Sequence, residues 1–118
     1  SGMAATSTVL QTLAPGDHLV LSADVYGGTY RVAARLFEGW GLRLSVVDMT
    51  SLDELKQAIR SETRLVWVET PTNPLLGVVD VAGAGGQAVC EPDRGRRVHD
   101  TSRRGFAGVE PLEKWWGN

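Results

Sequence analysis

Three places in the chain hold residue types that could do chemistry together. Gly2-Met3 opens a helical pattern. A helix start offers free backbone amides and the positive end of its dipole, a seat for phosphate, and a glycine there admits close approach. Tyr26 stands in DVYGGT, after an apolar run and before two glycines, where an aromatic face can stack on a planar ring. Glu69 and Asn73 stand in ETPTNP, directly after LVWV, and both can hydrogen-bond a ligand. Each has a plain alternative: a small residue beginning a helix, a turn tyrosine half-buried against the next helix, and an Asn-Pro turn. None decides the matter singly, so the elements that carry them matter.

Residues 2–13 place Met3, Ala4 and Ala5, then Val9, Leu10 and Leu13, as in a helix buried on one side. Thr6 and Thr8 weaken that pattern, and Pro15-Gly16 ends it. His18 to Leu21 reads as a short strand. Ala33, Leu36, Phe37 and Trp40 fall at i, i+3, i+4 and i+7 of a helix that leaves at Gly39 and Gly41. Leu44, Val46 and Val47 make a second strand. Ser51-Leu52-Asp53-Glu54 is a capping-box signature, and Leu52, Leu55 and Ile59 line the buried face of the helix it starts. Leu65 to Val68 make a third strand. Strands apolar on both faces that alternate with amphipathic helices predict parallel βαβ units and an α/β fold. Ligands of such sheets bind beyond the carboxyl ends of the strands. SADVYGG and ETPTNP both open on that edge, which predicts a shared site.

The bulk numbers limit the function classes. At 118 residues the chain has the length of one modest domain, and 42% apolar content is ordinary for a globular protein. A net charge of −2 gives no pull toward nucleic acid or anionic membranes. No apolar run approaches the roughly 20 residues of a membrane span, and no signal-peptide pattern stands at the front. One cysteine, Cys90, excludes an internal disulfide and fits a reducing, cytoplasmic setting. His18 and His99 beside that cysteine argue against a structural zinc site, so no metal is expected.

SGMAA at 1–5, PGDH at 15–18, DVYGGTYR at 24–31, VD at 47–48 and ETPTNPLLGVVD at 69–80 together resemble the trans-sulfuration enzymes. This pyridoxal-phosphate-dependent family holds cystathionine γ-synthase, the cystathionine lyases, methionine γ-lyase and O-acetylhomoserine sulfhydrylase. The resemblance runs almost unbroken from Ser1 to about Ala82. It implies part of the parallel-sheet cofactor domain of a fold-type-I enzyme. It implies that Gly2 and Met3 give amides to the cofactor phosphate, and that Tyr26 stacks on the pyridine ring and moves protons. Asn73 would reach the ring's phenolic oxygen, and Glu69 would support the pocket from the strand end. The implied substrates are sulfur-containing or γ-activated amino acids, and the implied assembly is a homo-oligomer, a tetramer in the complete family. No nucleic acid or membrane partner is implied.

The chain also departs from the family. A Schiff-base lysine is required there, and this chain has only Lys56, on the polar face of a capped helix, and Lys114, in PLEKWW. Neither has the flanking residues the family uses, so the chain is expected not to turn over substrate unaided. The family's partner for the pyridine nitrogen is an aspartate, and Asp100 in VHDT is the candidate. AVCEPDRGRR stands where the helix and strand leading to it are expected, and Arg103-Arg104-Gly105 where an apolar loop is expected.

Composition changes near Gly83, and five of ten arginines fall in 94–104. A shifted reading frame and genuine divergence both account for that change, and its abruptness favours the first. The arginines read as a solvated loop, with a phosphate or nucleic-acid contact as the sharper alternative. Cys90 and His99 have no partner pattern for a thiol nucleophile, and Trp115-Trp116 is a hydrophobic anchor or an exposed end. The expected organisation is a cofactor-domain piece over 1–82 and a divergent, Arg/Gly-rich, partly disordered tail over 83–118. Two functions follow: a trans-sulfuration protein met as a truncated chain that starts without a methionine, or a non-catalytic interaction piece with a residual cofactor surface.

Overall fold

The computed structural model describes residues 1–88 and 97–100. Cys90, the arginines at 94, 96, 103 and 104, Lys114 and Trp115-Trp116 lie outside the described residues. In chain order the elements are α1 (Gly2–Leu10), β1 (His18–Ser22) and α2 (Gly27–Arg31), continued by a π-helical segment (Val32–Phe37). Next come β2 (Arg43–Val47), α3 (Leu52–Ala58), β3 (Thr63–Val68), α4 (Val81–Ala88) and β4 (Arg97–Asp100). All strand pairings are parallel and the sheet order is β2-β1-β3-β4. This is the α/β arrangement that the alternating pattern predicts.

Side-chain alternation along β1 and β3 divides the core into two layers. Leu19, Leu21, Leu65 and Trp67 pack with Leu10, Leu13, Val25 and Ala33 beneath α1, α2 and the π segment. Val20, Val66 and Val68 pack on the opposite face with Leu55, Met49, Val79 and Ala84 under α3 and α4. Each such fully buried aliphatic side chain contributes about 1.5–3 kcal/mol relative to exposure. The central strands are therefore held from both faces, and their carboxyl ends form a rigid platform.

Several local expectations change. The first helix ends at Leu10, and the residues to Leu13 close in turns. Its threonines fit because Thr6 and Thr8 donate their hydroxyls back to the Gly2 and Ala4 carbonyls, at 3.0 and 2.9 Å. Over Val32–Phe37 the bonds widen to five residues, as in Glu38 N–H to Ala33 O at 3.0 Å. That winding moves the i, i+3, i+4, i+7 set off one face. Ala33 is buried, whereas Leu36 and Trp40 are exposed, with Trp40 edge-on to Phe37.

β2 is the sheet's edge, so Arg43 and Val46 face solvent and the strand is not apolar on both faces. Only half of the capping box forms. Ser51 Oγ accepts the Glu54 amide at 3.4 Å, while the Ser51 amide is taken by Asp48 O. α4 ends at Ala88 and β4 begins at Arg97, the first and last residues of AVCEPDRGRR.

Candidate cofactor site

β1 has β2 on one side and β3 on the other, so the chain reverses its direction of growth between β1 and β3. In an open parallel sheet the crevice beyond the carboxyl ends at such a switch point is where ligands bind. SADVYGG and ETPTNP are the exits of those two strands. Two hydrogen bonds to Asp24 tie them together. The Asn73 amide donates to Asp24 O at 3.3 Å and the Leu75 amide to Asp24 Oδ2 at 2.9 Å. The second exit folds on buried Thr72, whose hydroxyl accepts the Gly77 amide at 2.8 Å.

A cavity of about 460 Å³ opens at this edge, lined by Ser1, Gly2, Met3, Ala5, Thr6, Tyr26, Thr29, Trp67 and Glu69. Its volume lies within the roughly 300–1,000 Å³ of small-molecule sites. α1 presents its start to the cavity. Ser1 Oγ caps the Ala4 amide at 3.3 Å, and the amides of Gly2 and Met3, the helix's first two residues, have no intrahelical acceptor. Tyr26, half-exposed, stands at the start of α2. Gly28 lies under it. A methyl group at Gly28 would come within 2.4 Å of Tyr26 Cε1 and 2.9 Å of Met3 Sδ, so only glycine lets the ring and the thioether close over that backbone.

Glu69 joins the strand end to this corner. Its Oε2 accepts the Tyr26 amide at 2.8 Å, and its Oε1 accepts the Thr29 hydroxyl at 3.1 Å and the Trp67 indole N–H at 3.3 Å. The fold thus brings Gly2, Met3, Tyr26 and Glu69 to one cavity. Asn73 is on the same sheet edge, exposed, and does not line the cavity. Asp100 ends β4 with its backbone paired to Val68, one residue before Glu69. Lys56 is exposed on α3 and does not line the cavity.

Thr29 and Trp67 are site residues that sequence reasoning missed. Trp67 and Glu69 are two apart on an extended segment and so share a face. Thr29 is three residues past the helix-capping Tyr26, the spacing of a first-turn partner. Both signals were readable, but Trp67 looked like core and Thr29 like a helix residue.

Pyridoxal phosphate makes two demands that these residues can be tested against, an anion seat and a flat contact for a ring. The open amides at the start of α1 meet the first. The half-exposed Tyr26 ring, which lies with Met3 over Gly28 in the same cavity, meets the second. The residues present fit those two parts of the group, and among the described lining residues none is a lysine.

Comparison with known proteins bears on the same residues. The family model for Cys/Met metabolism PLP-dependent enzymes matches residues 1–91. Cystathionine gamma-synthase of Mycobacterium leprae is 48% identical over 86 residues, 72% of this chain and 22% of that protein. Cystathionine beta-lyase of Coxiella burnetii is 47% identical over 83 residues, 70% of this chain and 21% of that protein. The crystal structure of metB from Corynebacterium glutamicum superposes with a TM-score of 0.79 at 42% identity, over 85% of this chain and 26% of that one. The chain thus spans between a fifth and about a quarter of the length of these relatives.

Proposed function

Because the chain belongs to the Cys/Met metabolism family of PLP-dependent enzymes, we propose that its cavity is the phosphate and ring seat of a trans-sulfuration protein. The complete protein would catalyse γ- or β-elimination or replacement on a sulfur amino acid such as cystathionine, homocysteine or an O-acylhomoserine. The observation that carries this reading is the convergence of Gly2, Met3 and Tyr26 on one cavity at the β1/β3 switch point.

When bound, pyridoxal phosphate supplies the electron sink that stabilises negative charge at the substrate's α carbon. The chain's own residues do the rest. Gly2 and Met3 amides bind the phosphate, aided by the α1 dipole. The Tyr26 ring orients the pyridine face, and its hydroxyl carries a proton between bound groups. Glu69 supports this corner of the pocket. Asn73 and Asp100, both on the same edge by their backbone positions, would contact the ring's oxygen and nitrogen. A homo-oligomer is part of the same reading, and so is a cytoplasmic setting; among the described residues no helix is long and apolar enough to cross a membrane.

Catalysis also needs a lysine that holds the cofactor covalently. Lys56 is exposed on α3, away from the cavity, and this observation favours the second reading, in which the chain binds cofactor without turning substrate over. The test is to titrate the purified chain with pyridoxal phosphate, reduce with borohydride, and map adducts by mass spectrometry. Reversible binding weakened about tenfold by Tyr26→Ala, with no single labelled lysine and no turnover, is the expected result. An adduct confined to one lysine, with turnover of cystathionine, would establish an active enzyme. Absence of any saturable binding would remove the cofactor reading.

A further inference from the structure

Glu69 is a carboxylate already taken up by the protein. Three donors converge on it, from the Tyr26 backbone, the Thr29 hydroxyl and the Trp67 indole, at 2.8, 3.1 and 3.3 Å. Thr29 and Trp67 are 3% and 2% exposed, so Glu69 satisfies polar groups that burial would otherwise leave costly. Tyr26 caps α2 with no hydrogen bond from its own side chain. Glu69, from the neighbouring strand, accepts the backbone amide of this capping residue, the bond an acid at the third helical position makes in a capping box. A negative side chain on the wall of a cavity that receives a phosphate would repel it. Its three hydrogen bonds engage both of its oxygens with the protein itself.

We propose that Glu69, held by Thr29 and Trp67, is a positioning residue. It fixes the start of α2, and with it the angle of the Tyr26 ring over Gly28 and Met3, without touching the ligand. This rests on the reading of the cavity as a cofactor seat. It assigns roles to Thr29 and Trp67 and makes Glu69 act through Tyr26.

The ligand-independent arm of the test uses the isotope-labelled chain in NMR. Glu69→Ala is expected to raise exchange of the Tyr26 amide at least tenfold and to remove the ring contact between Tyr26 and Met3. The amides of Leu19 and Val66 should keep their protection. Thr29→Val is expected to act in the same direction, and Thr29→Ser, which keeps the hydroxyl donor, to restore the parent behaviour. The binding arm titrates pyridoxal phosphate and, separately, inorganic phosphate. Glu69→Ala should weaken pyridoxal phosphate about tenfold and leave inorganic phosphate unchanged, and should add nothing in a Tyr26→Ala background.

Unchanged Tyr26 exchange and ring contact in both Glu69→Ala and Thr29→Val would overturn the proposal. So would additive losses in the double variant, which would make Glu69 a direct ligand contact. If the parent binds no pyridoxal phosphate but the NMR arm gives the expected pattern, the cofactor reading falls while the positioning of Tyr26 by Glu69 stands.

Discussion

His18 is fully buried at the amino end of β1, with Thr63 Oγ1 2.8 Å from Nδ1 and Ser45 Oγ 2.9 Å from Nε2. Thr63 Oγ1 already accepts the Arg60 amide at 2.8 Å, so its hydroxyl can donate to Nδ1, leaving Nε2–H to donate to Ser45. A second ring proton would deprive the Thr63 hydroxyl of its acceptor. Burial lowers the pKa of His18 from its usual value, with Arg60 and then Arg43 in the same direction and Glu62 opposing them. The unfolded chain therefore takes up this proton first as pH falls. Stability is fully present above the ordinary histidine pKa of about 6.5. It declines below that by no more than about 1.4 kcal/mol per pH unit, until the folded imidazole itself titrates. Asp48 and Glu62 are also lowered, by hydrogen bonds from Thr50 and Ser61, and their contribution is lost only in the acid range of carboxylates. Thermal melts between pH 7 and pH 5 should fall more steeply for the parent than for His18→Gln. Parallel profiles would show that His18 is not the titrating group, and the comparison separates it from His99.

At the scale of elements, α4 depends on its start. VAGAGGQA holds three glycines, each about 1 kcal/mol less favourable than alanine in a helix. Asp80 compensates, its Oδ1 accepting the Gly83 amide and its carbonyl the Ala84 amide, both at 2.9 Å. Gly83 permits close packing, since a Cβ there would stand 2.7 Å from Leu52 Cδ1 on α3. Asp80→Ala should destabilise by about 0.5–2 kcal/mol, read as a lower urea midpoint with an unchanged slope. An unaltered midpoint would mean that packing of Ala84 alone holds α4. The same helix shows where sequence stops being legible. β1, β3 and α3 were readable because apolar runs and a Ser cap mark them locally. α4 was not, because its glycine content argues against a helix, and the Asp80 cap and the packing of Ala84 and Gly83 against the core and α3 reverse that. Leu36 and Trp40 leave the buried face for a different reason: periodicity assumes regular α winding, and the chain is π-wound over Val32–Phe37. The site was legible as three motifs on one edge, whereas the Glu69–Thr29–Trp67 connection needed the geometry of the β1–β3 pair.

Taken whole, the described residues expose several large apolar side chains, and two groups of them stand out. Leu75, Leu76 and Val78, at 80%, 72% and 76% exposure, follow the second strand exit, and Leu36 with Trp40 lines a groove along α1. Contiguous exposed apolar surface of this kind marks association, and the chain spans only 26% of the solved relative. The two places predict different couplings. The Leu75 amide is bonded to Asp24, two residues before Tyr26, so association through that loop occurs at the rim of the cavity. Cofactor affinity should then rise with protein concentration. Association through the Leu36–Trp40 groove would leave affinity independent of concentration. Leu76 also sits at φ 60°, a left-handed conformation costing roughly 1–2 kcal/mol for a non-glycine residue. Leu76→Gly should therefore raise stability while removing an apolar side chain. Combined with Leu75→Ser and Val78→Ser, it should shift sedimentation of the chain toward monomer and weaken pyridoxal phosphate binding together. Monomer formation with unchanged affinity would assign the loop to association alone. Unchanged sedimentation, with Leu36→Ser/Trp40→Ser giving monomer instead, would move the interface to the groove.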